Sequence, residues 1–198
     1  ECIDELAAEA GVGAQVAEIT ARAMNGELDF EAAILERVGL LKGLDVNIID
    51  HVIQNRIHLA PGGRTLVATM KSNGAYTALV SGGFVQFTEK VGAMLGFHET
   101  RANRLIEEGG ALSGDVAQPI LGRDAKVDAL NDLIDDPRKA LAVGDGANDL
   151  GMIGAAGMGV ALHAKPIVAA EAPLRIDHCD LTALLFLQGY SRDAFVTG

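Results

Sequence analysis

The sequence has no tryptophan, and aromatic residues make up only 4% of it, which argues against a surface built to stack nucleic-acid bases. Cysteine is scarce too. Cys2 and Cys179 form no CxxC pair and no disulfide framework, which is the usage of a reduced cytoplasmic protein. Positive charge is in short supply: 16 Lys and Arg face 27 Asp and Glu, a net charge of −11. That balance disfavours a general affinity for nucleic acid or an anionic membrane. No apolar run is long enough to cross a bilayer, and no basic stretch followed by an apolar one opens the chain. A Gly-x-x-x-x-Gly-Lys-Ser/Thr phosphate loop is missing, and Gly154-Ala155-Ala156-Gly157-Met158-Gly159 has the wrong glycine spacing for a dinucleotide fingerprint. The five histidines do not cluster, so a histidine-based metal site is not expected.

What is present is a globular composition, 49% apolar and 22% charged over 198 residues, enough for one domain or a core with a modest second lobe. Glycine is over-used, at 24 residues, a first sign of tight turns where backbone approaches a ligand. Residues 1–60 read as four helices. Ile3, Leu6 and Ala10 share a face, then Val16, Ile19 and Ala23, then Phe30, Ile34, Val38 and Leu41. Gly11, Gly26 and Gly43 fall where helices should stop, and Asp45 where the fourth could be capped. This segment carries 4 basic and 11 acidic residues, a net of −7.

At Pro61-Gly62-Gly63 the pattern changes, and helices alternate with short apolar runs. Helices are predicted over 64–72, 84–95, 124–135 and from about 148, with a short one between the last two strands and one at the end. Strands are predicted at Tyr76–Val80, Ala140–Val143, Gly159–Leu162 and Leu174–Ile176, and a hairpin over 101–121 turning at Gly109-Gly110. Continuous apolar strands alternating with helices indicate an α/β fold with a parallel sheet covered on both faces. The predicted division is a helical segment at 1–60 and an α/β core at 61–198.

Ligands of open α/β sheets bind where strands end and helices begin. Val80-Ser81-Gly82-Gly83-Phe84 places a hydroxyl after a strand and two glycines at a helix start, whose amides could face an anion. An ordinary strand-to-helix turn explains it equally well. Val143-Gly144-Asp145-Gly146-Ala147-Asn148-Asp149 is more specific. A helix cap accounts for one of its polar residues, but not for two carboxylates four apart with glycines around the first. Hard oxygens so spaced suit Mg²⁺, which takes carboxylates and phosphate oxygens and keeps several waters. Lys126, on the helix before that strand, reads alone as a solvated charge. Near Ser81 and Asp145 it would neutralise a phosphate.

These segments, with Lys126 between them, resemble the second, third and fourth motifs of the haloacid-dehalogenase phosphatase superfamily. Glu1-Cys2-Ile3-Asp4-Glu5-Leu6-Ala7, Met24-Asn25-Gly26, Phe30-Glu31, Arg37-Val38, Leu40-Leu41, Ala102-Asn103-Arg104-Leu105 and Leu112-Ser113-Gly114-Asp115-Val116 are similar to the phosphoserine phosphatase branch. The resemblance implies a Rossmannoid parallel sheet under a helical-bundle cap. It also implies Mg²⁺-dependent hydrolysis of O-phosphoserine, the last step of serine biosynthesis, through an aspartyl-phosphate. It places Asp145 at the metal and Asp149 behind it, with Ser81, Gly82, Lys126 and Asn148 around the phosphoryl group. Glu1 falls at the substrate ammonium, Arg37 at its carboxylate, and Met24 and Phe30 form an apolar wall. A small phosphorylated amino acid is then the partner, with neither nucleic acid nor membrane involved.

The superfamily's first motif, Asp-x-Asp-x-Thr/Ser, occurs nowhere in the 198 residues. The resemblance puts it, with its central strand, just before Glu1, and Asp4-Glu5 sits in a helical pattern that cannot replace it. The expectation is therefore a longer protein, with this chain inactive and its sheet weakened when alone. Two alternatives stand beside phosphoserine hydrolysis: another small phosphomonoester as substrate, or Mg²⁺ and phosphate binding without catalysis.

Overall fold

The computed structural model describes all residues except Asn25, Gly26, Arg123 and Gly198, and all side chains of the rest except that of Met24. The helices are α1 (Cys2–Glu9), α2 (Gly13–Met24), α3 (Phe30–Gly39), α4 (Asn47–Asn55), α5 (Gly63–Ser72), α6 (Val85–Leu95), α7 (Ala125–Leu133), α8 (Leu150–Ala155), α9 (Pro166–Glu171) and α10 (Ala183–Leu187). The strands are β1 (Ala78–Phe84), β2 (Glu99–Asn103), β3 (Leu105–Glu108), β4 (Ala111–Val116), β5 (Leu141–Gly144), β6 (Met158–Leu162) and β7 (Leu174–Ile176). They form three sheets, β1-β2, β3-β4 and β5-β6-β7. None of the helices among the described residues is long and apolar enough to cross a membrane.

Two compact units form from interleaved stretches of chain. The first takes residues 1–59, 81–93 and 100–120, the second 60–80, 94–99 and 121–198. In the first, the helix stops expected at Gly11 and Gly43 are left-handed glycines, with φ of 72° and 82°; the stop expected at Gly26 lies outside the described residues. Asp29 caps α3 by accepting the Ala32 amide at 2.7 Å, and Asp45 accepts the amide of Asn47, the first residue of α4, at 2.8 Å. Gly109 and Gly110 both have positive φ, so β3 and β4 close through a two-residue turn that matches strand twist.

That hairpin joins the helical unit through its backbone. The amides of Gly43 and Leu112 donate to the carbonyls of Leu112 and Leu44, both at 2.8 Å. Its apolar residues follow: Leu105, Leu112 and Val116, with Phe84 and Phe87, complete the core built by Leu6, Val16, Ile34, Val38, Leu41 and Val52. Cys2 packs against this core, and burial pushes its thiol above its ordinary value, whereas Cys179 is exposed.

In the second unit β5, β6 and β7 run parallel, with Val143 opposite Val160 and Leu162 opposite Ile176. Side chains alternate across β6. Val160 faces a core with Ile176 and Leu184, while Ala161 faces another with Ile153 and Val168. Both faces of this sheet are covered, which is why its strands read as unbroken apolar runs. Gly157 and Gly159 permit the close approach: a β-carbon would lie 1.7 Å from the Arg138 carbonyl oxygen at the first and 2.0 Å from that of Ile153 at the second.

Two expectations change here. The strand predicted to stop at Val80 runs on through Ser81-Gly82-Gly83 to Phe84, and α6 follows without a turn. Residues 99–103 form a strand, β2, ahead of the hairpin. In both places pairing between β1 and β2 overrides local turn preference.

Candidate active site

The second unit holds the more elaborate cluster, at the carboxyl end of β5. The chain bends at Asp145-Gly146, makes a single 3-10 turn over Ala147–Asp149 and enters α8. Asp149 is 3% exposed, and its charge is matched from two directions. One carboxylate oxygen accepts the amides of Asp145 and Gly146, both at 3.0 Å. The other is paired with the Lys126 ammonium, carried by the first turn of α7 and itself largely buried. Lys126 is therefore an enclosed cation and not a solvated surface charge.

The glycines of this segment are dictated by space. A β-carbon at Gly144 would stand 2.3 Å from the Asp149 carboxyl carbon, and one at Gly146 would stand 2.5 Å from the side-chain oxygen of Asn148. Asp145, by contrast, is exposed, with its carbonyl accepting the Lys165 amide at 3.0 Å, and Asn148 is half-buried. The division of labour between the carboxylates is legible: Asp149 holds the loop and Asp145 is left to meet solvent or a ligand. Among the described residues no group of three His, Cys, Asp or Glu side chains could hold a metal by itself.

The first unit carries the other predicted residues, in two places. At Ser81 the half-buried hydroxyl accepts the Gly83 amide at 3.0 Å, and the Gly82 carbonyl accepts the side-chain amide of Asn103 at 3.0 Å. The glycine amides expected at a helix start belong to the end of β1, directly before α6, and that of Gly83 is taken by Ser81. Arg37, on α3, is mostly buried and donates to the Ala33 carbonyl at 3.2 Å. One of its terminal nitrogens lies 3.9 Å from the carboxylate of exposed Glu1, so these opposite charges face each other. Phe30 is half-buried against the first core. The Met24 side chain lies outside the described ones.

The structure thus brings Lys126, Asp145, Asn148 and Asp149 together, pairs Glu1 with Arg37, and ties Gly82 to Asn103 and Ser81 to the Gly83 amide. Asn103, 2% exposed, is the residue that motif reasoning passed over except as part of a resemblance. Its signal in the sequence was a polar amide within a stretch that has no turn residue of its own.

A model of the haloacid dehalogenase-like hydrolases matches residues 3–153. The chain belongs to this family. Among its relatives, the phosphoserine phosphatase of Streptococcus thermophilus is 45% identical over 91% of this chain and 86% of the relative. That of Streptomyces coelicolor is 42% identical over 98% of this chain. The chain spans about half the length of the latter, 48%. A solved structure described as a phospho-aspartyl intermediate analogue of phosphoserine phosphatase superposes with a TM-score of 0.86. It is 39% identical, and the match covers 94% of this chain and 91% of that one. The hydrolase family and its fold account for the covered parallel sheet and for the Asp-rich loop at its edge.

Proposed function

We propose that this member of the haloacid dehalogenase-like hydrolases serves the hydrolysis of O-phosphoserine to serine and phosphate, as the last step of serine biosynthesis in the cytoplasm. The observation that carries the reading is the enclosed Lys126–Asp149 pair beneath an exposed Asp145 at a strand end. Its near relatives bear the name phosphoserine phosphatase over nearly the whole chain.

The residues divide the work as follows. Lys126 supplies fixed positive charge for the phosphoryl oxygens in a site that need not reorganise. The Ser81 hydroxyl, one lone pair occupied by the Gly83 amide, keeps its proton to donate. Gly82 and Asn148 complete the phosphoryl contacts. Arg37 offers a guanidinium fork to the substrate carboxylate and Glu1 a carboxylate to its ammonium. The 3.9 Å pairing of those two is then exchanged for substrate contacts on binding. Phe30 and Met24 line the apolar side.

Mg²⁺ fits the donor set. This ion is commonly held by one or two carboxylates, water and substrate phosphate. Asp145 offers an exposed carboxylate with no partner among the described residues, with Asp149 fixing the loop behind it. When bound, the ion supplies neutralisation of charge on the phosphoryl oxygens. In this reading the ester is cleaved through an aspartyl-phosphate, the intermediate whose analogue the related phosphoserine phosphatase structure represents. No Asp-x-Asp occurs in the 198 residues, so the attacking carboxylate is assigned to no residue of this chain.

The test is phosphate release by the full protein from O-phosphoserine, and from analogues lacking its amino or carboxyl group. Turnover should fall at least tenfold for either analogue, and Arg37→Ala should abolish the discrimination against loss of the carboxyl. Indifference to both groups sinks the substrate assignment. A second reading, binding without turnover, draws on the absence of Asp-x-Asp; phosphate bound but no ester cleaved would select it.

A further inference from the structure

We propose that Asn103 is a positioning residue that sets the Ser81 hydroxyl, acting through the Gly82–Gly83 peptide. The inference rests on the reading of Ser81 as a phosphoryl contact and adds a residue that this reading does not use.

The peptide between Gly82 and Gly83 is flanked on both sides by residues without a β-carbon, so local sterics leave its plane free to turn. Yet it is gripped at both ends. The side-chain amide of Asn103 donates to the Gly82 carbonyl at 3.0 Å. In a trans peptide the N–H points opposite to the C=O. The Gly83 N–H accordingly leaves on the other side and donates to the Ser81 hydroxyl oxygen at 3.0 Å. Turning the plane away from Asn103 would carry the Gly83 N–H away from Ser81.

The consequence for the hydroxyl follows from its inventory of one proton and two lone pairs. With one lone pair taken by Gly83, the proton is directed away from that amide and is available to a phosphoryl oxygen. Released from Gly83, the hydroxyl rotor would spread over its staggered positions and donate less often in the useful direction. Asn103 is well suited to the task. It is 2% exposed, so water does not compete for its amide, and it ends β2, the strand that shares a sheet with the Ser81 segment.

The experiment is a double-mutant cycle on the full protein, read as the affinity for inorganic phosphate by titration calorimetry. Variants are Asn103→Ala, Ser81→Ala and the pair together. Asn103→Ala should weaken phosphate binding roughly five- to tenfold, the scale of one hydrogen bond, and should have no further effect once Ser81 is alanine. A residue that merely supports the fold would weaken binding equally in both backgrounds. That result, or no effect of Asn103→Ala, overturns the assignment. Asn103→Asp, which keeps the shape but loses the donor, should copy Asn103→Ala.

A measurement on the unmutated protein guards against variants that do not fold. On titration with phosphate, the Asn103 side-chain amide and the Gly83 amide should shift in NMR spectra with one midpoint; an unmoved Asn103 amide overturns the proposal. Failure of the parent reading looks different: the unmutated protein binds no phosphate, or Ser81→Ala leaves its affinity unchanged, and the role of Asn103 then falls with it.

Discussion

Asp149 shows how a single side chain can be used up by structure. Both of its oxygens are engaged, by two backbone amides and by Lys126, and the side chain is buried. Removing the cation leaves a buried carboxylate matched only by amides, and such losses are large because the remaining charge has no other partner. Lys126→Met should therefore lower unfolding stability by roughly 3 kcal/mol in urea denaturation, besides weakening phosphate binding. A stability within a few tenths of the unmutated protein would mean that the pair does not form. The two glycines were legible from the sequence as turn residues, but not their reason. Gly144 and Gly146 have no positive φ; they are small because Asp149 and Asn148 occupy the space of a β-carbon. Such a requirement is tertiary, and no local pattern carries it.

At the scale of elements, periodicity located most helices and strands because their apolar faces meet one core each. Val160 and Ala161, neighbours in β6, belong to different cores, and an unbroken apolar run is the only pattern that allows this. The errors lay where pairing decides. Ser81-Gly82-Gly83 has turn composition, yet β1 carries it as strand, and Asn103 closes β2 against it. The segment leading into α10 offers an element-level test. The Thr182 hydroxyl, and after it the Thr182 amide, hold the Asp180 carboxyl below its ordinary value of 3.8. A carboxyl with a lowered native value binds fewer protons folded than unfolded, so its contribution is full above about pH 4 and is lost as pH falls through the native value. Thr182→Val should cost more stability at pH 7 than at pH 2, the gap narrowing as pH falls through the native value. Urea midpoints at pH 7, 4 and 2 give the comparison; an equal gap at pH 7 and pH 2 would assign the effect to packing.

For the whole molecule, composition marked an acidic, helical stretch, with −7 of the net charge on residues 1–60, ahead of alternating helices and strands. What composition could not supply is the membership of the first core. Phe84, Phe87, Leu105, Leu112 and Val116 come from beyond residue 80, and the hairpin is tied by backbone bonds to Gly43 and Leu44. A fragment of residues 1–60 should accordingly show helical signal without a cooperative thermal transition, because its apolar faces lack those partners. A sharp transition with native-like enthalpy in that fragment would show the helices to be self-sufficient.

The interleaving of the two units also sets an order of events during synthesis. Residues 60–80 leave the ribosome with their helix α5, but the bulk of their unit starts only at residue 121. At about 5–20 residues per second, the first of that bulk follows roughly 2–8 s later. During that interval the first unit can close behind them, while Leu66, which ends packed against Val160, Ile176 and Leu184, has no such core to join. A nascent chain of this kind exposes a predictable stretch for a predictable time, which is the situation that chaperones meet at the exit tunnel.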